Sequence, residues 1–271
     1  MKIINASYEI LTDISPYGTI ELEQIERAAR TCYKSEDKIT DQGESAKRLI
    51  GKLIENGHEA MLEHSMLSVK FICDRGISHE LVRHRLASFA QESTRYCNYS
   101  DDKFGNELTF IRPCFFEGVE HPCKDEAEVG KVIAELMLYP ELPCYFRTLT
   151  PIQQAYFTWH VNCILIEDMY LYLIEKCKLS PQEARCVLSN SLKTEVVMTA
   201  NYREWRHFFD LRCNGAAHPQ MRELTIPLLK EVHERIPVIF DDLYEKYIVP
   251  TINEKSEKQP INYIPSQFCG A

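Results

Sequence analysis

Strand-like and helix-like patterns succeed one another along this 271-residue chain without a regular β-α-β rhythm and without a glycine-rich turn. That irregularity limits the fold more than any single motif, because a doubly wound parallel sheet needs both features. The patterns themselves are specific. Residues 3 to 13 read as extended, and Leu22, Ile25, Ala28, Ala29 and Cys32 then recur at helical spacing. A second helical run around Leu49, Leu53 and Ile54 meets a natural stop at Asn56-Gly57. The segment MLSVKFIC, Met66 to Cys73, is partly alternating and β-prone, and Ile77 to His84 reads as a short helix delivering its polar end to a loop.

Further along, helices are expected near 125 to 138 and 151 to 177. Ser180-Pro181-Gln182-Glu183 supplies an N-cap, an N1 proline and an N3 glutamate for another helix, which would carry Arg185 in its first turns. Lys193 to Ala200 reads as a strand. Tyr202 to Leu211 reads as a helix with Trp205, Phe208, Phe209 and Leu211 as its apolar surface, and two helices near 218 to 247 close the chain. The expected class is therefore α+β, mixed helices with an antiparallel-type sheet.

With 45% hydrophobic residues the chain can bury a sizeable core, and no repeat, low-complexity stretch or linker divides it. The expectation is a single domain over 1–271 with a less ordered tail from about 250. The 31 basic and 40 acidic residues leave a net charge of −9, which repels a polyanion such as duplex DNA. Any phosphate bound here must meet a local basic cluster. The eleven cysteines include no C-x-x-C pair, and an odd count argues against a complete disulfide framework. The opening MKIINASYEI lacks the apolar run of a signal peptide, and no stretch reaches bilayer-spanning length, so no membrane association and a reducing cytoplasm with free thiols are expected.

The basic cluster exists. Arg83-His84-Arg85, then seven residues, then Ser93 and Arg95, in the run RHRLASFAQESTRY, is the densest collection of fixed positive charge and hydroxyl donors in the chain. A guanidinium presents a planar fork that matches phosphate oxygens, so this segment has the capacity for two phosphorylated ligands. An isolated R-H-R triplet is more often a solvated basic turn with a nearby acid such as Glu80.

The full pattern R-H-R-x7-S-x-R resembles the signature of the flavin-dependent thymidylate synthase (ThyX) family. The resemblance runs from about residue 25 to about residue 225. Asn56-Gly57-His58-Glu59 through Glu63-His64 looks like the family's G-H-E-x4-E-H segment, and Arg27-Ala28-Ala29-Arg30 with Cys32 resembles its first helix. Arg185, Asn201 to His207, Leu211-Arg212 and Ala217-His218-Pro219 follow the family's order and spacing.

The resemblance implies a ThyX-like fold with a flavin site that is not of Rossmann type. It implies FAD binding by Cys32, His58, Glu63, Arg83, His84, Arg85, Gln91, Asn201, Arg203 and His207. For dUMP it implies Glu80, Gln91, Ser93, Arg95, Arg185 and Arg212, with Arg212 and Ser93 as the candidate catalytic residues: Arg212 beside charge developing on the uracil, Ser93 chiefly on the nucleotide. Spacing adds that Arg203 and His207 share a helix face while Trp205 and Phe209 point elsewhere. Glu80 and Gln91 stand where some members carry glutamine and glutamate, and Ala60 where others offer a threonine hydroxyl.

The implied reaction methylates dUMP to dTMP, with methylenetetrahydrofolate as one-carbon donor, NADPH as reductant through FAD, and tetrahydrofolate as product. The implied assembly is a homotetramer with active sites between subunits. Three rivals compete. A His/Glu metallohydrolase draws on His58, His64, His79 and His84 with Glu59, Glu63 and Glu80, yet none of these forms H-E-x-x-H, and no metal is expected. A cysteine-nucleophile synthase finds no thiol in an activated context. A non-enzymatic nucleotide-binding or nucleic-acid module conflicts with the acidic balance and the lack of interleaved aromatic and basic residues.

Overall fold

A computed structural model describes residues 1–40, 43–121, 123, 128–131 and 148–250 of the chain, which divides into two compact units. Among the described residues, the first comprises those within 1–13, 66–201 and 218–224, and the second those within 14–65, 202–217 and 225–250.

The first unit is built on a four-stranded antiparallel sheet in the order β2 (Ser7–Ile10), β3 (Met66–Asp74), β6 (Lys193–Asn201), β4 (Ala87–Gln91). Period-two alternation explains its buried face. Leu67, Val69, Phe71 and Cys73 of β3 are fully buried and lie opposite Ala200, Met198, Val196 and Thr194 of β6, all likewise fully buried. Removing such side chains from water contributes roughly 1.5–3 kcal/mol apiece, so the register of β3 on β6 is strongly fixed. The extended reading of residues 3 to 13 resolves into two strands, because β1 (Lys2–Ile4) instead pairs in parallel with β5 (Thr109–Ile111).

Between β3 and β4 lies α3 (Arg75–Leu81), shorter than the expected 77–84 because its last turn opens before Arg83. The chain then reaches α4 (Pro151–Glu175), whose capping box at Thr150 and Gln153 sets its start. Its Cys163, Ile166 and Tyr170 pack with Tyr99, Leu108, Phe110 and Leu192 into a second core. The next helix, α5 (Pro181–Ala184), is a single turn. The capping box at Ser180 forms as expected, but Arg185 sits at the C-cap and not in the first turns, because a 3-10 turn, Arg185–Val187, ends the helix there. Most of the expected helix at 125 to 138 lies outside the described residues.

The second unit is helical: α1 (Thr19–Tyr33), α2 (Glu44–Glu55), α6 (Tyr202–Arg212) and α8 (Pro237–Tyr247), with most of α7 (Pro219–Arg235). Leu22, Ile25 and Ala29 of α1 and Ala46, Ile50 and Leu53 of α2 form apolar stripes at helical spacing. Asn56 caps α2, and Gly57 follows at φ +70°, as the Asn-Gly pair implied. Trp205, Phe208 and Phe209 are buried with Phe240, the Phe209 and Phe240 ring centroids 5.6 Å apart. Leu211 is not part of that surface, being 48% exposed. Gly18 enters α1 at φ +65°, and a Cβ there would lie 2.7 Å from Ile236 Cγ1, so only glycine fits.

Two buried charges of this unit, Glu26 and Arg206, have partners of opposite sign. Glu26 is fully buried and accepts from Arg30 at 2.8 Å and from the Ser45 hydroxyl at 2.8 Å. Arg206, 8% exposed at its side chain, donates to Glu59, to both oxygens of Asp242 and to the Ile239 carbonyl.

Candidate functional site

In the first unit the site grows out of the strand-to-helix junction. Asp74 ends β3 and caps α3, one carboxylate oxygen accepting from the Ile77 N–H at 2.7 Å and the other from Gln220 Nε2 at 2.5 Å. Burial pushes its pKa up in spite of those hydrogen bonds. The helix ends at Leu81, and residues 82–86 make the turn into β4. In that turn Arg83 and Arg85 are exposed while His84 is 5% exposed, so the two guanidiniums face outward and the imidazole inward.

Beyond β4, the Ser93 hydroxyl oxygen accepts the Arg95 N–H at 3.3 Å, and the Ser93 carbonyl accepts from Tyr96 and Cys97. The hydroxyl's own proton thus remains available to an anion. Arg95 is exposed with its guanidinium 5.4 Å from the centroid of the Tyr96 ring, and Arg185 is exposed in the 3-10 turn. Among the described residues none of Arg83, Arg85, Arg95 or Arg185 forms an ion pair with a carboxylate, whereas Arg30, Arg203, Arg206 and Arg235 each do. Glu80 and Gln91 are half-buried on either side of the R-H-R turn, and Asn201 is half-buried at the end of β6.

In the second unit, Cys32, His58 and Ala60 come together on a cleft of about 630 Å³. Its other walls are largely apolar, with Ala29, Leu49, Leu53 and Met61, while Arg30 and Lys38 supply cationic heads. His58 occupies the N-cap position of the 3-10 turn Glu59–His64 and is exposed. At the other end of that turn Glu63 pairs with Arg203 at 2.6 Å, both about half exposed. Arg203 and His207 lie on the solvent face of α6, opposite the buried Trp205 and Phe209, as the four-residue spacing predicts. Asp210, next on that face, has its pKa held down, first by the Lys246 ammonium at 2.6 Å and then by the Tyr247 hydroxyl. Arg212 ends α6 and is half-buried, its carbonyl accepting from the Thr225 hydroxyl at 3.1 Å.

Two of the three carboxylates on which a metallohydrolase would draw are paired with arginines, Glu59 with Arg206 and Glu63 with Arg203. Residues that support the site from behind escaped the sequence reading. Asp74 carried a signal, since an aspartate three residues before Ile77 is an N-cap pattern. Thr194 and Gln220 carried none, because their partners lie 103 and 146 residues away.

Residues 19–238 match the model of the family described as thymidylate synthase complementing protein. The flavin-dependent thymidylate synthase of Corynebacterium aurimucosum is 33% identical over 221 residues, 81% of this chain and 79% of that protein. The enzyme of the same name from Mycobacterium tuberculosis is 30% identical over 219 residues, 80% of this chain and 78% of its own length. Among solved structures, thymidylate synthase X from Helicobacter pylori, determined with FAD and dUMP, superposes with a TM-score of 0.59 at 20% identity, covering 88% of this chain and 98% of that one.

Proposed function

Belonging to the thymidylate synthase complementing protein family, the chain is a flavin-dependent thymidylate synthase, and we propose that it converts dUMP to dTMP with FAD, taking the one-carbon unit from methylenetetrahydrofolate and electrons from NADPH, and releasing tetrahydrofolate. The observation that carries the residue assignments is the set of exposed guanidiniums on the first unit. Arg83, Arg85, Arg95 and Arg185 meet no carboxylate among the described residues, although the chain carries 40 acidic side chains. Guanidiniums left open on so acidic a protein suit dianionic phosphates.

Ser93, Arg95 and Arg185 bind the dUMP phosphate, the serine donating the proton that its contact with the Arg95 amide leaves free. Arg83, His84 and Arg85 bind FAD, with Glu80 and Gln91 flanking them beside the nucleotide. Cys32, His58, Glu63, Asn201, Arg203 and His207 complete the FAD contacts. The cleft of about 630 Å³ on the second unit fits such a role, its volume lying in the range of small-molecule sites and its apolar walls suiting a flat ring. FAD held there would, once reduced by NADPH, supply the hydride that completes the methyl group. Arg212 places fixed positive charge where negative charge develops on the uracil ring, so the ring is activated electrostatically.

The assembly is a homotetramer in which more than one chain contributes to each site. No helix among the described residues is long and apolar enough to cross a membrane, and a cytoplasmic location accords with the free thiols. The absorption spectrum of the purified protein tests the reading. Flavin bands near one per chain, shifted by added dUMP, are expected, with dUMP-dependent NADPH oxidation in the presence of methylenetetrahydrofolate. A colourless protein that takes up no FAD in excess overturns it.

A further inference from the structure

We propose that Lys193 and Tyr99 are positioning residues for the nucleotide phosphate: together they hold the Glu92 carboxylate against the sheet, so that Arg95 stays open to the ligand. The inference rests on the functional reading above in taking Ser93 and Arg95 as phosphate ligands. Glu92 is the carboxylate nearest to Arg95 in sequence, three residues away, and it directly precedes Ser93. An acid so placed is a natural partner for the guanidinium and a competitor of any phosphate for it. The two do not pair. The Tyr99 hydroxyl donates to Glu92 Oε1 at 2.8 Å and the Lys193 ammonium to Oε2 at 3.0 Å, so each oxygen already has a donor. Arg95 forms no ion pair among the described residues, and its guanidinium lies beside the Tyr96 ring instead.

The fold supplies both donors. β4 ends at Gln91, and the Glu92 N–H continues the pairing with β6 by donating to the Glu195 carbonyl at 2.9 Å. Side chains alternate across a strand, so Glu92 leaves on the opposite face from Gln91, the face that carries Lys193 and Glu195. Two carboxylates side by side there repel, and the Lys193 ammonium bridges them, 3.0 Å from Glu92 and 2.6 Å from Glu195. Burial would lower the Lys193 pKa, yet the bonds to Glu195 and Glu92 outweigh it and raise the value, so the ammonium keeps its charge. Tyr99 is buried, its ring held in the second core with centroids 5.3 Å from Phe104 and 5.8 Å from Tyr170. Its hydroxyl closes a loop spanning seven residues that contains Ser93 and Arg95. Glu92 and Lys193 are 12% and 20% exposed at their side chains, whereas Arg95 is exposed. A sheltered carboxylate that loses one donor is left short of a partner, and Arg95 stands on the same loop.

The test uses the FAD-loaded enzyme, with dUMP and deoxyuridine each titrated against the flavin bands. The variants are Tyr99→Phe, Lys193→Met, Glu92→Gln, and Glu92→Gln combined with each of the other two. Tyr99→Phe should weaken dUMP about threefold and Lys193→Met about tenfold, less than the full worth of a charge-assisted bond because the competing pair forms in water. Deoxyuridine, which has no phosphate, should bind each variant as it binds the parent. Glu92→Gln alone should stay within about twofold of the parent, and adding it should return both weakened variants to that level, because the competing charge is gone. Tyr99→Phe alters no charge, so its loss of affinity cannot come from the overall field of the protein. Unchanged dUMP affinity in both single variants, failure of Glu92→Gln to restore it, or an equal loss for deoxyuridine, as a general distortion of the fold would cause, overturns the inference. A parent that binds dUMP no better than deoxyuridine refutes instead the reading of Ser93 and Arg95 as phosphate ligands, and the inference falls with it.

Discussion

Replacing Arg206 by methionine keeps the bulk of the side chain and removes the charge from the best-connected guanidinium of the second unit. The loss can be built from the partners. Arg206 donates to Glu59 at 3.0 and 3.1 Å, to the two oxygens of Asp242 at 2.7 and 2.8 Å, and to the Ile239 carbonyl at 2.5 Å. Breaking a fully buried pair from one side costs roughly 3–5 kcal/mol, because the stranded charge cannot rehydrate. Here the Glu59 and Asp242 side chains are 26% and 53% exposed, so water recovers part of that cost. A stranded Ile239 carbonyl adds about 1 kcal/mol or more. The balance is about 2–3 kcal/mol, or a fall in melting temperature of about 5–10 °C for a chain of this size.

The pH dependence sharpens the test. Burial alone would raise the Asp242 pKa, and the hydrogen bonds and charge of Arg206 together outweigh it and hold the pKa below the ordinary value of 3.8. An acid with a depressed folded pKa gives stability that is complete above its unfolded pKa and is lost as pH falls below it. Without Arg206, only the backbone hydrogen bonds of Leu243 and Asp242 oppose burial, the folded pKa of Asp242 rises, and acidification then favours the folded state. Thermal unfolding followed by circular dichroism from pH 7 to pH 4 should therefore show the gap between parent and Arg206→Met narrowing as the solution is acidified. A fall below about 2 °C at pH 7, or a gap that stays constant with pH, would refute the reasoning.

Arg95→Ala and Arg185→Ala should each weaken dUMP by about ten- to a hundredfold while FAD stays bound, since a charge-assisted bond is worth about 1.5–3 kcal/mol; titration of the flavin bands checks this. Arg212→Ala should lower turnover about a hundredfold or more, the usual cost of removing one donor aimed at developing charge, with the melting temperature within about 2 °C of the parent. Glu223 has its pKa raised from 4.5 to about 7, first by burial and then by the charges of Asp74 and Glu117. A raised acid binds its proton more tightly when folded, so its contribution to stability falls as pH rises from 4.5 to about 7 and is level above that. Glu223→Gln should remove that fall, and a melting difference between the two proteins that does not change across the window would exclude it.

What the sequence disclosed follows how locally each feature is determined. Partial alternation and β-prone residues placed β3, and Val196, Val197 and Met198 marked β6; with one face of each strand buried, a one-residue slip of the pair would turn the apolar set to the other face. The box at Ser180 announced the start of α5 correctly but carried no information about its end, and Arg185 came out at the C-cap of a single turn. The ties that hold the candidate site are the least legible. Arg206 and Glu59 are 147 residues apart, and Gln91 and Thr194 are 103 apart, so no window of sequence contains either pair. Leu211 is the instructive case. Its apolar side chain suggested a place in the core, yet it stands four residues beyond His207, as His207 stands four beyond Arg203, and all three are exposed. Spacing put Leu211 on the solvent stripe, hydropathy put it in the core, and geometry decided for spacing. An apolar side chain on the same helix face as Arg203 and His207, two candidates for flavin contact, suits a ligand with a flat ring and a charged tail.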